Sequence, residues 1–134
     1  MKKLKIIVLE DDPSLAALLK KVLLLRGHDV HVLSGSSFCP VVCGHKTECP
    51  KSTPCADVII SDHRMPTITG VEYFNLQKRV GCKIPDENKA LITGSVMFTD
   101  LTKTVNELGC HFIKKPFKIE QIFKWVDECA ERLT

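Results

Sequence analysis

Asp57-Val58-Ile59-Ile60-Ser61-Asp62, continuing as Asp62-x-x-Met65-Pro66-x-x-x-Gly70, is the stretch on which the fold turns. A short apolar run rich in β-branched residues and bounded by turn-forming residues reads as a strand buried on both faces. It stops on a carboxylate. Three other runs also stop at polar residues. Leu4–Leu9 is followed by Glu10 and Asp11, Ala90–Thr93 ends on a hydroxyl, and His111–Lys114 is followed by Lys115-Pro116. Each ends at a residue type that phosphoryl chemistry uses. In an open parallel sheet the C-terminal strand ends form the ligand-binding edge, so these four endings describe an assembled site.

The intervening segments have helical spacing. Asp12-Pro13 reads as an N-cap with proline at the first helical position. Leu15, Leu18, Leu19 and Val22 follow as an apolar stripe, and Gly27 suits the C-cap. Val30–Leu33 is a short second strand. A third-helix region begins at Gly70 and reaches Val80, with Val71 and Phe74 inward. A weaker helix carries Met97, Leu101, Val105 and Leu108, with Gly109 after it. The last helix has Ile119, Ile122, Phe123, Val126 and Ala130 in its stripe, with Trp125 half exposed at the edge. Alternating strands and helices predict an α/β fold with a parallel sheet covered on both faces.

At 134 residues one domain, residues 1–134, is expected. The composition is that of an ordinary globular protein, 44% hydrophobic and 26% charged. The longest apolar stretch, Leu15-Ala16-Ala17-Leu18-Leu19, is too short to span a membrane. Met1-Lys2-Lys3 resembles a signal n-region, but Glu10-Asp11-Asp12 interrupts any apolar segment, so a cytoplasmic protein is expected. A net charge of +3 with scattered Lys and Arg gives no basis for direct nucleic-acid binding.

The acidic pair after the first run, Asp62 after the third, Thr93 after the fourth and Lys115-Pro116 after the fifth together resemble the receiver domain of two-component response regulators. The similarity covers nearly the whole chain except residues 35–56. It implies a stand-alone receiver with a flavodoxin-like, doubly wound five-stranded sheet in the order 2-1-3-4-5. It also implies Asp62 as the phosphoacceptor, supplied by a sensor histidine kinase or phosphotransfer protein. Mg²⁺ would be held by Asp11, Asp62 and the Arg64 backbone carbonyl, with Glu10 orienting a bound water. Lys115 would pair with Asp62 at rest, and Thr93 would donate to a phosphoryl oxygen. The Lys115–Pro116 peptide would be cis. Phe112, three residues before Lys115, would report phosphorylation on the face of the fourth helix, fifth strand and fifth helix, where an unknown protein reads it. Arg64 and Ser95 border the pocket.

The chemistry agrees with the resemblance. Glu10, Asp11 and Asp62 brought together would repel one another and any incoming phosphoryl group, and a hard divalent cation with oxygen ligands reverses that. Taken singly, each motif has an ordinary explanation: charge at a helix start, an Asx cap, a strand-end threonine, a common dipeptide. Their joint order carries the reading. A phosphohydrolase of the aspartyl-phosphate type would need a second Asp where Arg64 stands.

Between strands two and three lies Ser34–Ala56. It holds Cys39, Cys43, Cys49, Cys55 and His45 together with Pro40, Pro50 and Pro54. The prolines argue against one regular helix, so the second helix is expected to be replaced by a Cys/Pro-rich segment. The spacing Cys39-x₃-Cys43-x₅-Cys49-x₅-Cys55 differs from the Cys-x-x-Cys of common zinc sites. Zn²⁺ or another thiolate-bound metal, reduced thiols and disulfides all remain open. If the cluster is the input, the chain would be a metal- or redox-sensing module on a receiver scaffold. Cys82, Cys110 and Cys129 read as small core or loop residues.

Overall fold

In the computed structural model the chain is described at residues 2–44, 47–66 and 68–133, apart from the side chains of Cys43 and of residues 95–100. Cys43 and His45, two of the candidate ligands, and the side chains of Ser95 and Met97 therefore lie outside the described residues.

Five strands, β1 (Lys5–Leu9), β2 (Asp29–Leu33), β3 (Val58–Asp62), β4 (Lys89–Gly94) and β5 (His111–Lys115), form one sheet. It is parallel throughout, in the expected order β2-β1-β3-β4-β5. The helices are α1 (Pro13–Leu25), α2 (Pro40–Cys43), α3 (Gly70–Val80), α4 (Ser95–Leu108) and α5 (Ile119–Arg132). After β2 the chain crosses back over β1 to reach β3. The C-terminal ends of β1 and β3 are thus the switch point at which open α/β sheets hold ligands. Among the described residues, no helix is long and apolar enough to cross a membrane.

Alternation along the strands divides the core in two. Ile6, Val8, Val58, Ile60, Ile92 and Ile113 face Leu19, Leu23, Ile122 and Val126. Ile7, Leu9, Ile59 and Leu91 face Tyr73, Phe74, Val105 and Leu108. Trp125 corrects the reading of α5. It is 3% exposed and stacks on His111, with ring centroids 5.4 Å apart. Ile122, Trp125, Val126 and Cys129 follow the i, i+3, i+4, i+7 spacing, so Trp125 sits in the middle of the buried stripe rather than at its margin.

Local signals place the helix starts that flank the site. Asp12 caps α1, its Oδ1 accepting the Ser14 N–H at 2.9 Å, with Pro13 in the first turn. Thr69 and Glu72 form a reciprocal capping box on α3. Gly70 opens α3 so close to β3 that a Cβ there would lie 2.7 Å from the Asp62 carbonyl oxygen and would also overlap Leu91.

The segment between β2 and β3 departs from a bare loop. A short 3₁₀ turn at Ser36–Phe38 leads into the one-turn α2, with Pro40 at its start, where proline's fixed φ favours a helix. Phe38, Cys39, Val41 and Val42 join the core on the α3 side. The segment thus contributes to the core, although Thr47–Asp57 forms neither helix nor strand.

Candidate functional site

Strand register builds the acidic edge. Leu9 pairs with Ser61 and Asp62 with Ile92, so the residues just past β1 and at the ends of β3 and β4 arrive at one level. Glu10 is 4% exposed. Its backbone N–H donates to the Leu33 carbonyl at 3.0 Å, and its Oε1 accepts the Asp12 N–H at 3.1 Å. Two further bonds close the loop after Asp62. The His63 N–H donates to the Ile92 carbonyl at 3.0 Å, and the Gly70 N–H donates to the His63 carbonyl at 2.8 Å.

Glu10, Asp11 and Asp62 each offer a carboxylate oxygen, and these lie within 4.8 Å of one another. The Lys115 ammonium donates to Asp62 Oδ1 at 3.4 Å and stands 3.9 Å from Glu10 Oε2. The Lys115–Pro116 peptide is cis. Thr93 is buried at the end of β4. Arg64 has an exposed side chain on the loop after β3, and Phe112 is half-buried on β5 in the α3-side core.

The electrostatics of this edge are unbalanced. One ammonium faces three carboxylates. Burial, opposed by the Asp12 backbone N–H and reinforced by the Asp62 charge, pushes Glu10 up to about 7. Its Oε2 is buried and has no hydrogen-bond partner. An all-oxygen set with an orphaned buried acceptor and surplus negative charge fits a hard divalent cation such as Mg²⁺, which takes carboxylate and carbonyl oxygens and retains waters. Soft-metal chemistry has no donors here.

The cysteines gather elsewhere. Cys39, Cys49 and Cys55 line a cavity on the α3 side, together with Cys82 from beyond α3. Among the described residues the acidic triplet is the group of three metal-ligating side chains whose ligand atoms come within 4.8 Å, and these four thiols do not converge that closely. Described cysteines are free thiols. Burial and then the neighbouring thiols push Cys55 up, against the pull of Lys51.

Two residues of these regions escape a sequence reading. His63, directly after Asp62, is 7% exposed, its Nδ1 has no hydrogen-bond partner, and burial lowers its pKa. Its place beside the strand-end carboxylate was the available signal. Cys82 carries no local signal, because its neighbours come from another part of the chain.

No protein-family model and no curated protein sequence matches the chain. Solved structures do match. The Francisella response regulator 1452 receiver domain has a TM-score of 0.78 at 18% identity, covering 98% of this chain and 100% of that one. The signal receiver domain of a putative Luxo repressor protein from Vibrio parahaemolyticus has a TM-score of 0.76 at 18% identity, covering 98% and 92%. FixJ-N has a TM-score of 0.71 at 22% identity, covering 100% and 98%. The chain has the flavodoxin-like fold of response regulator receiver domains, with an acidic triplet and a lysine at the switch point of its sheet.

Proposed function

We propose that this chain is a phosphorylation-dependent signalling switch of the two-component type, accepting a phosphoryl group on Asp62 from a sensor histidine kinase or phosphotransfer protein. The observation that carries this reading is the Lys115–Asp62 contact at 3.4 Å inside a three-carboxylate edge. That arrangement places the Asp62 carboxylate at the C-terminal edge of the sheet with a cationic partner in hydrogen-bond contact.

In this reading an Asp62 oxygen bonds to the phosphorus of a phosphohistidine. The phosphorus–nitrogen bond breaks, and its electron pair returns to the imidazole, leaving an acyl phosphate on the protein. Asp11, Asp62 and the Arg64 carbonyl would hold Mg²⁺, with Glu10 orienting a bound water, and the bound ion would supply the charge that lets a carboxylate approach a phosphoryl group. Lys115 surrenders its bond to Asp62 and turns to a phosphoryl oxygen. The Thr93 hydroxyl donates to another. Phe112 and the surface of α4, β5 and α5 then present the change to a downstream protein. The chain assists its own phosphorylation and hydrolysis and turns over no separate substrate.

Acetyl phosphate with Mg²⁺ tests this directly. Intact-mass measurement should show one added phosphoryl group on the wild type and none on Asp62→Asn. Undiminished labelling of that variant would assign the phosphoacceptor elsewhere.

A further inference from the structure

Four thiols meet at the α3 side of the sheet. Cys39, Cys49 and Cys55 come from the β2–β3 segment and Cys82 from just beyond α3, and all four line one cavity of about 20 Å³ with Tyr73 and Gln77. That is room for about one water molecule. Gln77 is 2% exposed. Its Nε2 donates to the Tyr73 hydroxyl at 2.9 Å, while its Oε1 has no hydrogen-bond partner. The wall of the thiol cluster therefore holds an unused buried acceptor.

Backbone hydrogen bonds single out one pair. The Cys49 N–H donates to the Val80 carbonyl at 2.9 Å, which pins Cys49 beside the last residue of α3. Cys82 follows immediately after the left-handed Gly81, its own N–H donating to the Gln77 carbonyl at 2.8 Å. Both residues are half-buried, within reach of a small oxidant, whereas Cys39 is 8% exposed. A disulfide needs Cα atoms about 4.4–6.8 Å apart. Cys49 lies in chain that is neither helix nor strand, so it can shift locally without breaking a ladder.

We propose that Cys49 and Cys82 form a reversible dithiol–disulfide couple, oxidised by peroxide, that fastens the β2–β3 segment to the end of α3. One thiolate attacks a peroxide oxygen. The O–O bond breaks, giving a sulfenic acid and, from hydrogen peroxide, a hydroxide that takes up a proton to become one water. The second thiolate attacks the sulfenic sulfur and expels a second water once a proton is taken up. Two sulfurs lose one electron each, and the peroxide gains both. The fastened segment shares its core with Met65 and Ile68, which lie on the loop that follows Asp62.

Peptide mapping tests the couple. The full chain, purified reduced, is treated with a small excess of hydrogen peroxide, alkylated, digested and analysed by mass spectrometry. The expected result is loss of two alkylatable thiols, a linked Cys49–Cys82 peptide from monomeric protein, and full reversal by dithiothreitol. Cys82→Ser should abolish the link and Cys110→Ser should keep it. The wild-type map alone is decisive should either variant fold poorly. Asp62→Asn should form the link as readily as the wild type, so this result stands apart from the phosphoacceptor assignment. A link between other cysteines, no link, or a tightly bound zinc ion that protects the thiols would each overturn the proposal.

Discussion

The acidic edge and the thiol cluster lie on the same sheet and are assembled in opposite ways. Every charged group of the acidic edge stands at or just past a strand end, and parallel register brings those ends level. Its residues are polar, and they repel or pair through charge. The thiol cluster draws on two segments that share no ladder, joined through side chains and single backbone bonds such as Cys49 to Val80. The first region is placed by backbone geometry and the second by packing. Regularity of the backbone therefore predicts which of the two tolerates substitution of its neighbours.

The sharpest break between the two concerns phosphoryl transfer. Asp62→Asn should lose all labelling by acetyl phosphate. Combined Cys39→Ser, Cys49→Ser, Cys55→Ser and Cys82→Ser should keep it in any preparation whose circular dichroism remains native. Loss of labelling in that folded variant would show that the thiol region supports the acidic edge.

Glu10 tests the charge imbalance. Its carboxyl stands at about 7 in the fold against an ordinary 4.5. Between those values the native state holds a proton that the unfolded state has released. Stability is accordingly present below pH 4.5 and lost as pH rises through 7. Glu10→Gln cannot ionise, so without cation at pH 8 it should be more stable than wild type, by on the order of 3 kcal/mol. The gap should close toward pH 4.5 and shrink when Mg²⁺ is added to the wild type. Urea titrations at several pH values measure it, and an identical pH profile for both proteins would remove Glu10 from the account.

Gly70 tests backbone placement. Gly70→Ala puts a Cβ against the Asp62 carbonyl, and overpacking of this kind costs about 3 kcal/mol at its upper end. A thermal shift should report it, along with slower labelling as β3 and α3 are forced apart. Tyr73→Phe tests the packed side. It strips the acceptor from the Gln77 amide, with both residues buried, for a loss of about 1–2 kcal/mol and no change in labelling.

The same contrast explains what was legible in the sequence. Asp62, Thr93 and the Glu10–Asp11 pair were readable because each directly ends an apolar run, so period and punctuation locate them without knowledge of the fold. Lys115 and its cis peptide came through the resemblance that those endings support. Strand order came through the same resemblance, whereas the helices were readable from their apolar spacing and caps. Cys82 could not be read, since its partners lie across α3 and nothing in its immediate neighbourhood marks it. Pro40, Pro50 and Pro54 argue against one regular helix, and α2 is a single turn, begun by Pro40 because proline is excluded from helix interiors and favoured at their first turn. The stripe read from Ile119, Ile122, Phe123, Val126 and Ala130 leaves Trp125 at its edge, while the i, i+3, i+4 spacing from Ile122 places it inside.

The register of the last two strands separates two tasks in space. Leu91 pairs with Phe112 and Ile92 with Ile113, while Thr93 pairs with Lys114 and Gly94 with Lys115. Partners in a parallel ladder point to the same side, and successive residues to opposite sides. Thr93 therefore shares a side with Leu91 and Phe112, toward α3 and α4, whereas Lys115 shares the other side with Ile113, toward α1 and α5. The sheet acts as a partition. Charge is compensated by a lysine rooted on one side, and any room vacated by a moving Thr93 opens on the other, beside the aromatic ring of Phe112.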